Sequence, residues 1–471
     1  MSASGRTTYA VLVVSVCSYA LLQAMTVPAM PHIQVELHTD QSTVSWVLTG
    51  FLISASVATP IAGRLGDAHG KKRMLVISLV LLTIGALLAA LATSIAVMLV
   101  ARVVQGLAGG VLPLSFGIVR DQLSPARVPG AIALLASLMS VGFATGIVIT
   151  GPIMQIAGSS FVFLLPMVAA GVSAAAAIAF VRESTHRTGQ VVRLLPAVVL
   201  AGWLVLLLVS VSRAPVWGWA SPRTLGGLVL ALLVFGLWVR IETVIRPPLI
   251  DIRLMTSRGV APANLVALLI GISTYGSFGF LPQFAQTPRE VGYGFGVSVA
   301  GAGLLMLPTA VFSFCGGLCS TRIGARIGDR ALIALGCLLT AAGLLVAAFA
   351  HDQEWQFLAC GTATGLGGGF CFAALANAVV AAAPEGTTGV VAGMNANLRT
   401  IGGAVGSAAM ATILTAHLLP SGHPVERGYT VGFAVLAGSA VVAGLVALTT
   451  TARRPRSHDE PGLRHSPGSA S

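Results

Sequence analysis

Polar positions along this chain are few and bunched, and the hydrophobic runs between them set the reading. Residues 7–35, 41–63, 194–212, 224–239, 259–288, 291–321, 331–351, 355–384 and 428–452 contain no Asp, Glu, Lys or Arg. About 20 residues of helix cross the hydrocarbon layer of a bilayer, so each run predicts one spanning helix. The run 224–239 is short, and it spans only if the flanking Arg223 and Arg240 snorkel to the interfaces. Between 74 and 119 the one charge is Arg102, which leaves room for two spans. Residues 128–181 carry none, and Gly151-Pro152 with Gly158-Ser159-Ser160 predicts the turn between two more. Residues 386–425 hold only Arg399 and supply one further long helix. The pattern predicts an all-α polytopic membrane protein with fourteen transmembrane helices.

Composition excludes the competing classes. Apolar residues make up 55% and charged residues 9%, with a mean hydropathy of +0.89. Soluble domains carry about a quarter charged residues, which excludes a water-solvated globule, a coiled coil, a disordered chain and a small disulfide scaffold. The 55 glycines imply helices packed closely through small residues. All six cysteines (Cys17, Cys315, Cys319, Cys337, Cys360, Cys371) lie in apolar runs without a His or acidic cluster, and read as small packing residues. The N-terminal run is too long for a cleaved signal peptide and is expected to stay as a helix.

The net charge of +12 would ordinarily raise nucleic acid as a partner. Its distribution says otherwise. With both termini on one side, Arg213, Arg223, Arg289 and Arg427 fall opposite, Arg102 and Arg399 fall within helices, and the remaining 21 of 27 basic residues share the terminal side. That bias makes the terminal side cytoplasmic and the charge a topology signal, so no nucleic-acid partner is expected. A repeat supports a two-part build. Arg64-Leu65-Gly66-Asp67-Ala68-His69-Gly70 after span two and Arg322-Ile323-Gly324-Ala325-Arg326-Ile327-Gly328 after span ten both read Arg, aliphatic, Gly, three residues, Gly. The expected organisation is a six-helix bundle over 1–185, two inserted helices over 186–245, a second six-helix bundle over 246–452 and a disordered tail over 453–471. Parallel repeats of this kind build one large class of secondary transporters.

The stretch Gly63-Arg64-Leu65-Gly66-Asp67-Ala68-His69-Gly70-Lys71-Lys72-Arg73 resembles the loop signature of the major facilitator superfamily. More narrowly, the chain is similar to its fourteen-helix drug:proton antiporters. The resemblance implies a conformational latch at Gly63, Gly66, Asp67, Gly70, Lys71 and Arg73. The physics suits it, since glycines let helix ends approach and Asp67 meets the positive end of a helix. Arg102-Val103-Val104-Gln105-Gly106 resembles the family's helix-four motif, whose buried Arg is linked to proton transfer. An Arg inside an apolar helix normally faces a bundle interior or wet cavity; the bland alternative is snorkelling to the interface. Gln105 and Gly106 lie one turn further along that face. Gly142, Gly146 and Gly151-Pro152 partly match the helix-five antiporter motif, and Gly151 and Pro152 are expected to bend that helix. Gln155-Ile156 stand where a pair of glycines is usual. Leu22, with Gln23 beside it, occupies a position that is acidic in many relatives.

By this topology no carboxylate or His lies mid-membrane, so candidate proton carriers are peripheral: His32, Glu36, Asp67 and Asp121. Gln23, Trp46, Gln105, Asn264, Gln283, Asn377 and Asn395 are the polar or aromatic residues inside spans that can line a substrate path or bond a neighbouring helix. With two cations and no carboxylate inside the membrane, the expected substrate leans toward neutral, zwitterionic or anionic amphipaths. The leading expectation is a monomeric secondary transporter that exports amphipathic, drug-like molecules across the cytoplasmic membrane by alternating access, with protons as the coupling partner. An importer or narrow permease on the same scaffold is the alternative. No cofactor or metal site is expected, and no cluster suited to a membrane-embedded enzyme is visible.

Overall fold

A computed structural model describes residues 3–39, 41–184, 193–384 and 386–449. Hydrocarbon offers no hydrogen bonds, so each spanning backbone satisfies its own groups as a helix. The long helices in chain order are α1 (Ala3–Glu36), α2 (Gln41–His69), α3 (Lys71–Ala90), α4 (Ile95–Gln122), α5 (Val128–Ala157), α6 (Phe161–Phe180) and α7 (Leu194–Trp217). They continue as α8 (Pro222–Val244), α9 (Ala261–Gln286), α10 (Val299–Ile327), α11 (Asp329–Phe349), α12 (Glu354–Ala382), α13 (Thr388–Thr415) and α14 (Glu426–Thr449). Helix α4 tightens to a 3-10 turn at Leu107–Gly110, and α9 is interrupted at Gly279. Thirteen of these are long and apolar enough to cross a membrane. The remaining one, α13, has 28 residues but carries Asn395, Asn397 and Arg399, and it packs against α2, α4, α7 and α9.

Gly151-Pro152 does not form the turn expected from the sequence. Helix α5 runs through Gly151 and Pro152, and the turn into α6 falls at Gly158–Ser160 alone. A membrane helix tolerates the missing proline N–H because its neighbours re-satisfy the freed carbonyl. The expected tail 453–471 and the junction near 185 lie outside the described residues.

Two groups of helices carry separate cores. One cluster draws almost wholly on α1–α6, with Leu12, Phe51, Leu79, Leu114 and Phe163 among its buried members. Two further clusters draw on α9–α14, and α7 and α8 add Leu200, Trp203, Leu204 and Trp238 to one of them. The groups meet where α5 packs on α10 and α12, and where α2 and α4 pack on α13. Helix α8 is peripheral: only Thr224, Ala231, Trp238 and Glu242 are buried, while Val229, Leu232 and Leu233 face outward. The repeated loops share a device. Gly70 (φ 121°) and Gly328 (φ 85°) each take a positive φ, and α3 and α11 start at the next residue.

Without a hydrophobic force between helices, close backbone approach supplies the packing. On α12 a Cβ at Gly365 would overlap the Thr309 backbone of α10, whereas nothing lies within 4 Å of a Cβ at Gly368. Gly365→Val should therefore cost about 1–3 kcal/mol through overpacking and lower the thermal midpoint of the purified protein by several degrees. Gly368→Ala should leave that midpoint unchanged or slightly raised. Equal behaviour of the two variants would contradict the packing described.

Candidate functional site

At one end of the bundle, the loop between α2 and α3 touches the start of α13. The Asp67 carboxylate accepts hydrogen bonds from Gly389 N at 3.2 Å (Oδ1) and Val390 N at 3.0 Å (Oδ2). These are unpaired donors in the first turn of α13, so a buried negative charge from the first group of helices caps a positive helix end in the last group. Space is the second requirement. A Cβ on Gly63 would run into the Gly389 carbonyl, and one on Gly66 into the Leu114 side chain. The Lys71 ammonium lies 3.6 Å from Asp67 Oδ1 and 2.7 Å from Asp121 Oδ2, and Ser184 Oγ donates to the same Asp121 oxygen. Asp67 and Lys71 are fully buried. Arg120 adds a second tie, donating from Nη1 to Ala383 O (2.8 Å) and Thr388 Oγ1 (2.7 Å).

Supporting contacts surround this cluster. Glu183 accepts from the backbone N–H of Lys72 (3.1 Å) and Arg73 (3.2 Å), which caps α3, and its carboxylate fills the space beside Gly70. The Arg73 side chain is exposed. Arg64 is buried within electrostatic reach of Asp67 and of Glu242, at the end of α8. Glu242 is itself buried and accepts from Trp238 Nε1 (3.1 Å), Leu249 N (2.8 Å) and Ile250 N (3.2 Å). The end of α8 is therefore anchored beside the loop signature.

Above this seal lies a cavity of about 800 Å³ between the two groups of helices. Its wall runs from Thr59, Gly109 and Pro113 to Thr287, Pro288, His423 and Pro424, which lie beyond the far ends of α9 and α13. Helix α13 is about 40 Å long, so that far end is remote from Asp67. Aromatic rings recur along the wall. Phe372 of α12 stacks with Tyr275 of α9 (6.4 Å, 21°), Tyr275 meets Phe278 edge-on (5.5 Å), and Phe278 stacks on Phe143 of α5 (4.9 Å, 21°). The ladder crosses from the last group of helices to the first. On the other wall Tyr19 and Phe51 lie 6.0 Å apart.

The expected lining residues separate into two sets. Gln23 and Gln283 are in the cavity wall. Trp46, Asn377 and Asn395 are not, which corrects the sequence reading. The Trp46 ring carries the Arg213 guanidinium at 4.4 Å and so ties α2 to α7. Asn395 donates to Asn264 Oδ1 (3.1 Å) and Ala263 O (3.3 Å), a clasp between α13 and α9. Asn377 is half-buried on α12, away from the wall. Helical spacing does not reveal which neighbour a polar side chain meets.

Arg102 does not reach the wall either. It is fully buried, stacks on Phe51 at 4.4 Å, and donates to Val47 O (2.9 Å) and Gln105 Oε1. Gln105 in turn donates to Gly85 O (2.9 Å), and a Cβ on Gly106 would strike Phe51 and Ser54 of α2. This trio therefore braces α4 against α2 and α3 from behind the cavity. Gly151 and Pro152 sit inside α5, where a Cβ on Gly151 would be 3.8 Å from Ala300 of α10. Sequence reasoning missed Arg120 and the Thr388–Val390 helix start; the Thr387-Thr388-Gly389 stretch ahead of an apolar run is the cap signal that marks the latter.

The family profile of the Major Facilitator Superfamily matches residues 12–287 and 263–469. The tetracenomycin C resistance and export protein of Streptomyces glaucescens is 25% identical over 86% of this chain and 75% of its own length. A multidrug resistance protein B homolog of Mycobacterium tuberculosis is 29% identical over 80% of this chain and 70% of its own. Among solved structures, the human organic anion transporter MFSD10 superposes with a TM-score of 0.67 over 95% of this chain and all of that one, at 15% identity, which establishes a shared fold. Two family matches that together span the helical region, and a multi-pass helical bundle of that fold, lead to one conclusion: the chain belongs to the major facilitator superfamily and is a membrane transporter.

Proposed function

We propose that this transporter exports amphipathic small molecules across the cytoplasmic membrane by alternating access, with proton movement as the driving partner. The observation that carries the reading is the pairing of a central cavity between the two groups of helices with the Asp67 cap on α13 at one end of it. The bias of basic residues supports a cytoplasmic placement of that end, and in this reading the Asp67 contact closes the cavity toward the cytoplasm, as an exporter requires when it releases its cargo. The names of the relatives, which speak of tetracenomycin C export and multidrug resistance, support the direction.

In this reading two bundles, 1–185 and 246–452, rock against each other as a monomer, and the inserted helices 186–245 ride with the second through their shared core. The cluster Asp67, Lys71 and Asp121 is the ionisable group whose protonation bears on the seal, because a neutral Asp67 no longer attracts a helix end. Helix α5, with Gly151 and Pro152, flexes along the α10 contact as the bundles move. An importer would use the same parts in reverse, so direction is the quantity to measure.

Asp67→Asn tests the latch. Removing the buried charge at this helix N-terminus costs about 2 kcal/mol, and 1–2 kcal/mol shifts a balanced equilibrium by about 5–30-fold. Efflux of a fluorescent substrate from pump-deficient cells should fall by about that factor while expression and thermal midpoint hold. Near-normal efflux would sink the latch. Dissipating the proton gradient with an uncoupler should abolish efflux by the unmodified chain; persistence would remove the coupling partner. Inverted vesicles should accumulate the substrate, and uptake only by right-side-out vesicles would reverse the direction.

Arg102 gives a second, independent test. Arg102→Ala strands Gln105 and the Val47 carbonyl in a dry interior and leaves a void behind Phe51, so efflux and thermal midpoint should both fall. Arg102→Lys keeps a charge and part of the hydrogen bonding and should be intermediate. Parent-like efflux by both variants would assign Arg102 no part in the transport cycle.

A further inference from the structure

Arg399 is the one charged side chain in the cavity wall among the described residues. It is 9% exposed, with its guanidinium 4.8 Å from the centre of the Phe372 ring. No carboxylate lines the cavity, and no ion pair or hydrogen bond reaches the Arg399 guanidinium among the described residues. Arg102 is the instructive contrast. Its Nε and Nη1 are already taken by Val47 and Gln105, and Phe51 stands between it and the cavity. A buried cation without a counter-charge is expensive. Stacking on a ring compensates one face of the guanidinium and leaves the N–H donors in its plane, where a carboxylate or phenolate is gripped two bonds at a time. The backbone here is fixed as well, because Gly271 of α9 packs directly against the Arg399 main chain.

Resting on the export reading of this cavity, we propose that Arg399, Phe372 and Tyr275 form an acid-selective subsite for planar aromatic substrates. The ionised acidic substituent meets the Arg399 guanidinium. The ring system lies along the Tyr275–Phe278–Phe143 ladder, whose centroid spacings of 5.5 and 4.9 Å suit contact with a fused-ring body. Organic cations are disfavoured twice: the wall offers them no carboxylate, and it presents a like charge.

The test is equilibrium binding to the purified full-length protein in lipid nanodiscs, read by probe fluorescence anisotropy. Three probes of one shape are compared: anthracene-2-carboxylate, anthracene-2-carboxamide and 2-(aminomethyl)anthracene as its ammonium. A charge-assisted hydrogen-bonded pair contributes about 1.5–3 kcal/mol, so the carboxylate should bind at least about tenfold tighter than the amide, with the ammonium weakest. Arg399→Gln should bring the carboxylate-to-amide ratio close to one, and Arg399→Lys should keep part of it. Lowering the pH until the probe acid is neutral should erase the preference in the unmodified protein, a result that needs no variant to fold. Equal binding of the three probes by the unmodified protein, or an undiminished ratio in Arg399→Gln, would overturn the subsite. Acid selectivity in nanodiscs without efflux in cells would overturn the export reading and leave the subsite standing. Efflux of amphipaths with no preference for acids would do the reverse.

Discussion

Placing an ionised group inside a membrane protein costs several kcal/mol unless something nearby repays it, and this structure can be read by asking what repays each one. Asp67 is met by the first amides of α13 and by Lys71. Glu242 is met by three N–H donors. Arg102 is met by a ring, a carbonyl and an amide. Arg399 is met by a ring alone, and it faces the cavity. The first three close the protein on itself. The fourth leaves electrostatic demand directed at whatever enters.

What the sequence disclosed follows the same physics. Spans were legible because a bilayer imposes a length and forbids charge, so the gaps between charged residues mark the helices. The loop from Gly63 to Arg73 was legible as a pattern of glycines, an acid and bases. Its partner was not, because Gly389 and Val390 lie more than three hundred positions downstream and contribute only backbone N–H groups, which every residue has. Polar residues inside spans were the hardest to place. Gln23 and Asn395 look alike in a one-dimensional reading, yet one lines the cavity and the other joins Asn264 across a helix contact. Arg102 and Arg399 exchanged emphasis for the same reason: their helical positions are readable, their neighbours are not. Pro152 misled because proline signals a turn in water but is tolerated inside a membrane helix.

Helices α7 and α8 are held mainly from one side. Trp203, Leu204 and Trp238 share a core with α9–α14, and Glu242 is bonded to the segment leading into α9. Toward the first group, α2 lays Ile53, Val57 and Ile61 against the same core, and the Arg213–Trp46 stack and the proximity of Arg64 to Glu242 add polar ties. Helix α7 therefore touches both groups of helices, whereas α8 is held chiefly through α7 and the Glu242 bonds.

Helix α13 has a consequence of its own. It begins at the amides held by Asp67 and carries Arg399 ten residues from Gly389, a rise of about 15 Å along a continuous helix. An α-helix of this length behaves as a rod, so a tilt that withdraws its tip from Asp67 must also swing the cation that faces the cavity. The cavity-facing guanidinium and the Asp67 contact are thus carried on the same lever arm, and a displacement at one needs no chain of intermediates to reach the other. Leverage, rather than relay, is what a single unbroken helix provides.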